Sequence, residues 1–127
     1  MNAASGTSQR SNLRHLAARD PVVMVVDDQE TNVRLVGTVL TQAGFEVVPA
    51  MSGEQALQRA EASPPDLVLL DIMMPGMNGI DVMTALRERP ETAHIPAIFL
   101  TAAHEREQLV RAFEAGAVDY VTKPFVA

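Results

Sequence analysis

Val22-Val23-Met24-Val25-Val26-Asp27-Asp28 is an uninterrupted apolar run that ends on two adjacent carboxylates. Unbroken apolar character, rather than alternation, is what a strand covered on both faces shows, and such strands belong to parallel sheets. The same form recurs along the chain. Leu67-Val68-Leu69-Leu70 runs into Asp71, Ile98-Phe99-Leu100 into Thr101, and the run from Val118 to Val121 leads through Thr122 to Lys123. In an open parallel sheet the ligand site lies just beyond the carboxyl ends of the strands, where strand order reverses. As parallel neighbours, these runs would bring three acids, a hydroxyl and an ammonium to one crevice.

Amphipathic segments separate the runs, and alternation of this kind predicts βα units around a parallel sheet. Strand one is expected over Val22–Val26 and helix one over about Glu30–Ala43, with Val33, Val36, Val39 and Leu40 on one face. Gly44 suits the position just past that helix. Strand two is expected over Phe45–Val48. Helix two starts at Ser52, a good N-cap, turns Ala56, Leu57 and Ala60 inward, and stops at Pro64-Pro65. Strand three is Leu67–Leu70 and is followed by a loop over Ile72–Asn78. Helix three covers Gly79 to Arg87, burying Ile80, Met83 and Leu86, with Asp81 in its first turn. Strand four is Ala97–Leu100, helix four about Glu105–Ala115, and strand five Val118–Val121. Residues 1–20 read as a flexible leader, in which Leu13, Leu16 and Ala17 have the spacing of a short helix. Residues 21–127 read as one domain.

The chain has 127 residues, enough for a self-sufficient core. It has no cysteine, which excludes disulfides, thiol catalysis and cysteine-ligated zinc. The apolar runs are too short to span a bilayer, and the N-terminal arginines precede no apolar stretch, so a cytoplasmic location is expected. The net charge of −6 argues against direct nucleic-acid binding, which draws on clustered Lys and Arg. Residues 1–20 carry a net +2 and the remainder −8. Lys123 is the sole lysine in the chain, and it stands at the end of the last apolar run. His15, His94 and His104 are scattered and read as surface residues.

Asp27, Asp28 and Asp71 form the first chemical constellation. Carboxylates about 4 Å apart repel by roughly 4 kcal/mol at an effective dielectric near 20. Either one takes up a proton or a hard cation binds. Oxygen-only ligation with open positions suits Mg²⁺, which takes one or two carboxylates plus a phosphate. Asp71 is the candidate nucleophile, since a carboxylate can attack phosphorus to give an acyl phosphate. Phosphoryl transfer asks mainly for positioning and charge neutralisation. Lys123 would cover one side of the group and the Thr101 hydroxyl would bond another oxygen. Singly, each residue has a plain structural role: Asp27-Asp28 as a helix cap, Asp71 and Thr101 as strand ends, Lys123 as a surface charge. Their ordered combination carries the inference.

From about Val22 to Phe125, some four fifths of the chain, the sequence resembles the receiver domain of bacterial two-component response regulators (CheY-like). The strings that carry the resemblance are Val25-Val26-Asp27-Asp28, Leu69 to Gly79 (LLDIMMPGMNG), Phe99-Leu100-Thr101-Ala102 and Asp119 to Phe125 (DYVTKPF). The gaps of 43 from Asp28 to Asp71, 30 from Asp71 to Thr101 and 22 from Thr101 to Lys123 fit the family's spacing. The resemblance implies an α/β fold with a doubly wound, five-stranded parallel sheet in the flavodoxin-like order 2-1-3-4-5. It implies that Asp71 accepts a phosphoryl group from the phosphohistidine of a sensor histidine kinase or phosphotransfer protein. By the same carry-over, Asp28, Asp71 and the backbone carbonyl of Met73 ligate Mg²⁺, and Asp27 acts through water. Thr101 and Tyr120 match the family's switch pair, and Lys123-Pro124 matches a peptide bond that is usually cis in receivers. The implied protein promotes its own phosphorylation and dephosphorylation but is not a turnover enzyme. No membrane is implied.

Met73 and Ala103 occupy the positions where receivers tune the lifetime of the acyl phosphate, and neither side chain can orient a water. Slow self-hydrolysis is therefore expected. Only Pro124-Phe125-Val126-Ala127 follow Lys123, so the domain reads as truncated after strand five, lacking the family's final helix. A homodimer, the Leu13–Ala17 turn or a fused output domain would then cover the sheet. Three other readings compete. A haloacid-dehalogenase-type phosphatase would want a second acid where Met73 stands. An FMN binder would want a phosphate-cradling loop where Asp27-Asp28 stand. The third is a degenerate receiver acting only as a protein-interaction module, against which the complete set of Asp28, Asp71, Thr101 and Lys123 counts.

Overall fold

The computed structural model describes residues 20–102, 110–111, 114 and 119–123. Expectations for the leader (residues 1–19), Ala103, most of helix four, the Lys123-Pro124 bond and the chain after strand five fall outside these residues. In chain order the elements are β1 (Val22–Val26), α1 (Glu30–Gln42), β2 (Glu46–Ala50), α2 (Gly53–Ala62), β3 (Leu67–Asp71), α3 (Gly79–Arg87), β4 (Ala97–Ala102) and β5 (Asp119–Lys123). Val110, Arg111 and Glu114 are helical, within the span expected for helix four.

The sheet runs β2-β1-β3-β4-β5, and every neighbouring pair is parallel. The expected α/β architecture on a parallel sheet is thus borne out. β1 pairs with β2 through Val26↔Ala50 and with β3 through Val26↔Leu70. The chain leaves β1 toward one edge and returns on its other side, so order reverses between β1 and β3. Their carboxyl ends flank the crevice that such a reversal opens.

Both faces of the sheet are covered, which explains why β1 and β3 lack alternation. Met24, Val26, Val68 and Leu70 pack with Ala56 and Ala60 of α2 and with Val82, Met83 and Leu86 of α3. Val23, Val25 and Leu69 face the other way, against Val33, Val36 and Leu40 of α1. Val39, expected on that inner face, is 43% exposed. At about 100° per residue it lies roughly 120° around the helix from Val33, too far to reach the sheet. Among the described residues no helix is long and apolar enough to cross a membrane.

The strand limits differ from expectation at their carboxyl ends. β2 covers Glu46–Ala50 rather than Phe45–Val48 and so includes Pro49. A proline is admissible there because β2 is the sheet's edge, where a missing N–H costs no ladder bond. The Arg59 guanidinium donates to the Pro49 carbonyl. β3 includes Asp71, β4 extends through Thr101 to Ala102, and β5 covers Asp119–Lys123 rather than Val118–Val121. Parallel pairing carries these strands past the point where apolar composition ends.

The helix ends follow their local chemistry. Gly44 has φ 97, and the amides of Gly44 and Phe45 donate to the carbonyls of Thr41 (3.1 Å) and Leu40 (3.0 Å), closing α1. Ser52 accepts from the Gln55 amide at 3.1 Å as the N-cap of α2. Asn78 and Asp81 form a reciprocal capping box at the start of α3, at 2.9 and 3.2 Å. Ser52→Ala and Asn78→Ala should each lower unfolding free energy by about 1 kcal/mol in urea titrations. Unchanged midpoints for both would show that tertiary packing alone sets these helix starts.

Candidate functional site

Register builds the site. Val26 of β1 and Leu70 of β3 are paired, so the residues that follow them, Asp27 and Asp71, emerge side by side. Neighbouring strands lie about 4.8 Å apart. One carboxylate oxygen from each of Asp27, Asp28 and Asp71 lies within 4.8 Å of the others. Asp27 is fully buried, Asp71 is 4% exposed, and Asp28 is half-buried at the mouth. The acids that sequence spacing grouped are therefore one cluster in space.

Asp27 and the segment that follows Asp71 are also fixed by their backbone surroundings. The Asp27 amide donates to the Ala50 carbonyl at 3.1 Å. Its Oδ1 accepts from the Gln29 amide at 2.9 Å, and its Oδ2 from the Asn32 amide group at 3.2 Å. Asp27 thus both tethers the start of α1 and belongs to the acidic cluster, so the two readings of it are compatible. It is not the N-cap itself, which is Gln29. Asn32 was not singled out in the sequence, although its place in the first turn of α1 brings it back over the acid.

On the other side, the Ile72 amide donates to the Leu100 carbonyl at 3.3 Å, and the Gly79 amide to the Ile72 carbonyl at 2.9 Å. Gly79 lies so near that a Cβ there would stand 2.2 Å from the Asp71 carbonyl oxygen. Only glycine lets α3 start this close to the acid. Its signal in the sequence was the Asn78-Gly79 pair, read there only as the start of a helix. Gly76, with φ 71, makes the turn within the intervening loop.

The other expected residues are placed by register. Asp71 pairs with Leu100, so Thr101 stands one position beyond the level of Asp71, and it pairs with Thr122. Lys123 pairs with Ala102, two positions beyond that level, and Tyr120 pairs with Phe99. Thr101 and Lys123 lie toward the carboxyl ends of β4 and β5, whereas Tyr120 is the second residue of β5. Met73 is in the loop two residues after Asp71, with its side chain 53% exposed. His94 is exposed, as expected; His15 and His104 fall outside the described residues.

The donor set is oxygen alone, three carboxyl groups in a partly buried crevice. At such separations each pair repels by roughly 3 kcal/mol at an effective dielectric near 20. Three carboxyl groups, one of them half-open to solvent, fit a hard divalent cation that retains waters.

Residues 23–127 match the family model of the response regulator receiver domain. The chain is 46% identical over 102 residues to the response regulator PleD of Caulobacter vibrioides, covering 80% of this chain and 22% of that protein. It is 44% identical over 105 residues to the phosphate regulon transcriptional regulatory protein PhoB of Rhizobium meliloti, covering 83% and 46%. Among solved structures, chemotaxis protein CheY4 of Vibrio cholerae superposes with a TM-score of 0.80 at 30% identity, covering 85% of this chain and 90% of that one. The N-terminal domain of a response regulator receiver protein from Methanoculleus marisnigri gives 0.74 at 37% identity, covering 81% and 84%. The chain belongs to the response regulator receiver domain family. It spans between about a fifth and a half of the length of the two curated relatives.

Without a cation the acids oppose one another, which fixes the sign of two effects. Asp71→Asn should raise stability in Mg²⁺-free buffer by about 1–2 kcal/mol through lost repulsion. It should also remove most of the stabilisation that Mg²⁺ gives the parent chain, read as a shift in thermal midpoint. Equal Mg²⁺ responses in the two chains would show that the cluster does not bind the ion.

Proposed function

We propose that this receiver domain is a phosphoacceptor in two-component signalling and that Asp71 is the residue that accepts the phosphoryl group. The observation that carries the reading is the clustering of Asp71 with Asp27 and Asp28 at the sheet's reversal point. Asp71 belongs to β3, the strand flanked by both β1 and β4.

In the proposed reaction an Asp71 carboxylate oxygen attacks phosphorus. The bond from phosphorus to the donor's histidine nitrogen breaks, and that nitrogen keeps the electron pair. The donor is a sensor histidine kinase or a phosphotransfer protein. Asp28, Asp71 and the Met73 backbone carbonyl would hold Mg²⁺, with Asp27 acting through water. Bound there, the ion would supply positive charge against the phosphoryl oxygens. Asp27 is kept in place by Gln29 and Asn32, so it need not reorganise when a cation arrives. Lys123 serves as the protein's own positive charge toward the phosphoryl group, and Thr101 as the hydroxyl donor. Both are supported by their register positions just beyond Asp71.

The acyl phosphate adds roughly −1.5 to −2 charge. Thr101 and Tyr120 are the pair through which that charge would shift an interaction surface. The receiver unit is assigned to residues 21–127, which is supported by the family match from residue 23 and by β1 starting at Val22. A sheet of five strands belongs to the same reading and is supported by the parallel register of β4 with β5. On this reading the domain is a switch rather than a turnover enzyme and works in the cytoplasm. Its output is exerted through a homodimer or a fused module, the domain itself contacting neither nucleic acid nor membrane. The interaction-only alternative is not retained, because the acidic trio is complete and assembled.

Incubation with acetyl phosphate and Mg²⁺ should add the mass of one phosphoryl group to the parent chain and none to Asp71→Asn. An unmodified parent would refute the phosphoacceptor reading. Met73 and Ala103 offer no group to orient an attacking water, so release of phosphate from the modified chain should be slow. A half-life of seconds in a phosphate-release time course would contradict that expectation.

A further inference from the structure

The short segment from Ala50 to Gly53, which joins β2 to α2, touches both halves of the acidic site. At one end the Ala50 carbonyl accepts the Asp27 amide at 3.1 Å. At the other end Gly53, buried as the first residue of α2, lies directly beneath Met77. A Cβ on Gly53 would meet Met77 Cγ at 2.8 Å, Cβ at 2.9 Å and Sδ at 2.9 Å. Ordinary carbon contacts lie at about 3.5–4.0 Å, so nothing larger than hydrogen fits while Met77 keeps this seat. Gly53 is not a positive-φ glycine, and backbone conformation therefore does not account for it.

Met77 belongs to the loop between Asp71 and α3. One end of that loop is pinned where the Gly79 amide bonds to the Ile72 carbonyl, at 2.9 Å. Its middle turns at Gly76 and exposes Pro75 and Met73. Among the loop's large side chains Met74 is buried, and Met77 packs half-buried against the larger core cluster. Met77 ties this loop to the start of α2. Through Gly53 and Ala50 it is connected to the strand end that carries Asp27 and Asp28.

We propose that Met77, seated on Gly53, is a positioning residue for the divalent-cation site of Asp27, Asp28 and Asp71. The β2–α2 segment acts as a strut, holding the loop that follows Asp71 at a fixed distance from the acid pair at the end of β1. This rests on the metal-site reading above. Thioether flexibility suits Met77 to fill an irregular gap over a bare glycine. A shorter side chain would leave the gap empty and let the loop drift.

The test is Mg²⁺ affinity by titration calorimetry on the whole chain, with urea stability measured in parallel. Met77→Ala should weaken Mg²⁺ binding about ten-fold, the lower end of what loss of ligand-orienting contacts costs. Met77→Leu, which refills the seat, should stay within about two-fold of the parent. Gly53→Ala should also weaken binding, and adding Met77→Ala to it should cost little more, because both changes unseat the same contact. Val82→Ala, a buried change elsewhere in the same core cluster, should lower stability without altering affinity. Parental affinity in Met77→Ala, or affinity that falls equally in Val82→Ala, would overturn the positioning role alone. Absence of saturable Mg²⁺ binding by the parent chain would overturn the metal-site reading and this inference with it.

Discussion

Mutual repulsion among three carboxylates, held together by the parallel register of β1 and β3, is the constraint around which the molecule is arranged. Val26↔Leu70 pairing leaves Asp27 and Asp71 no choice but adjacency. Burial of both prevents solvent from dispersing the charge. The apolar strands behind them fix that position, since sliding by one residue would carry each side chain to the opposite face and unseat it from the helices it packs against. The core and the site are therefore one construction: the valines and leucines of β1 and β3 fix where the acids stand.

Around that cluster the chain uses close backbone approach rather than bulk. Gly79 lets α3 begin against the Asp71 carbonyl, and Gly53 lets Met77 settle on α2. Asn32 and the Gln29 amide occupy both oxygens of Asp27. These contacts leave the acids pre-placed, with Asp28 nearest solvent. A site organised in this way suits a reversible charge switch: the framework need not move for a cation or a phosphoryl group to be received, so the added charge is free to act on neighbouring elements.

The sequence made the elements legible where composition and periodicity agree. Helix three came out with its limits, its buried Ile80, Met83 and Leu86 and its acidic first turn, because Asn78, Gly79 and Asp81 are local signals that act within one turn. Strand ends were less legible. The apolar run of β4 stops at Leu100, yet pairing with β5 carries the strand to Ala102, and pairing is a property of two segments at once. Val39 departs from expectation for a related reason: an apolar residue at near-helical spacing looks inward until the neighbouring sheet shows how narrow the covered face is.

By itself the sequence determined the alternation of strands and helices, the helix starts at Ser52 and Gly79, and the residues able to handle phosphate and its cation. Those follow from side-chain chemistry and from interactions a few residues long. Only the tertiary structure decided that Asp27, Asp28 and Asp71 stand within 4.8 Å of one another, that Asn32 secures Asp27, and that Gly53 and Gly79 are glycines because other chain segments lie against them. The physical reason is range. Caps and apolar runs are settled by neighbours along the chain, whereas charge proximity and steric allowance are settled by strands and loops brought together from far along the sequence.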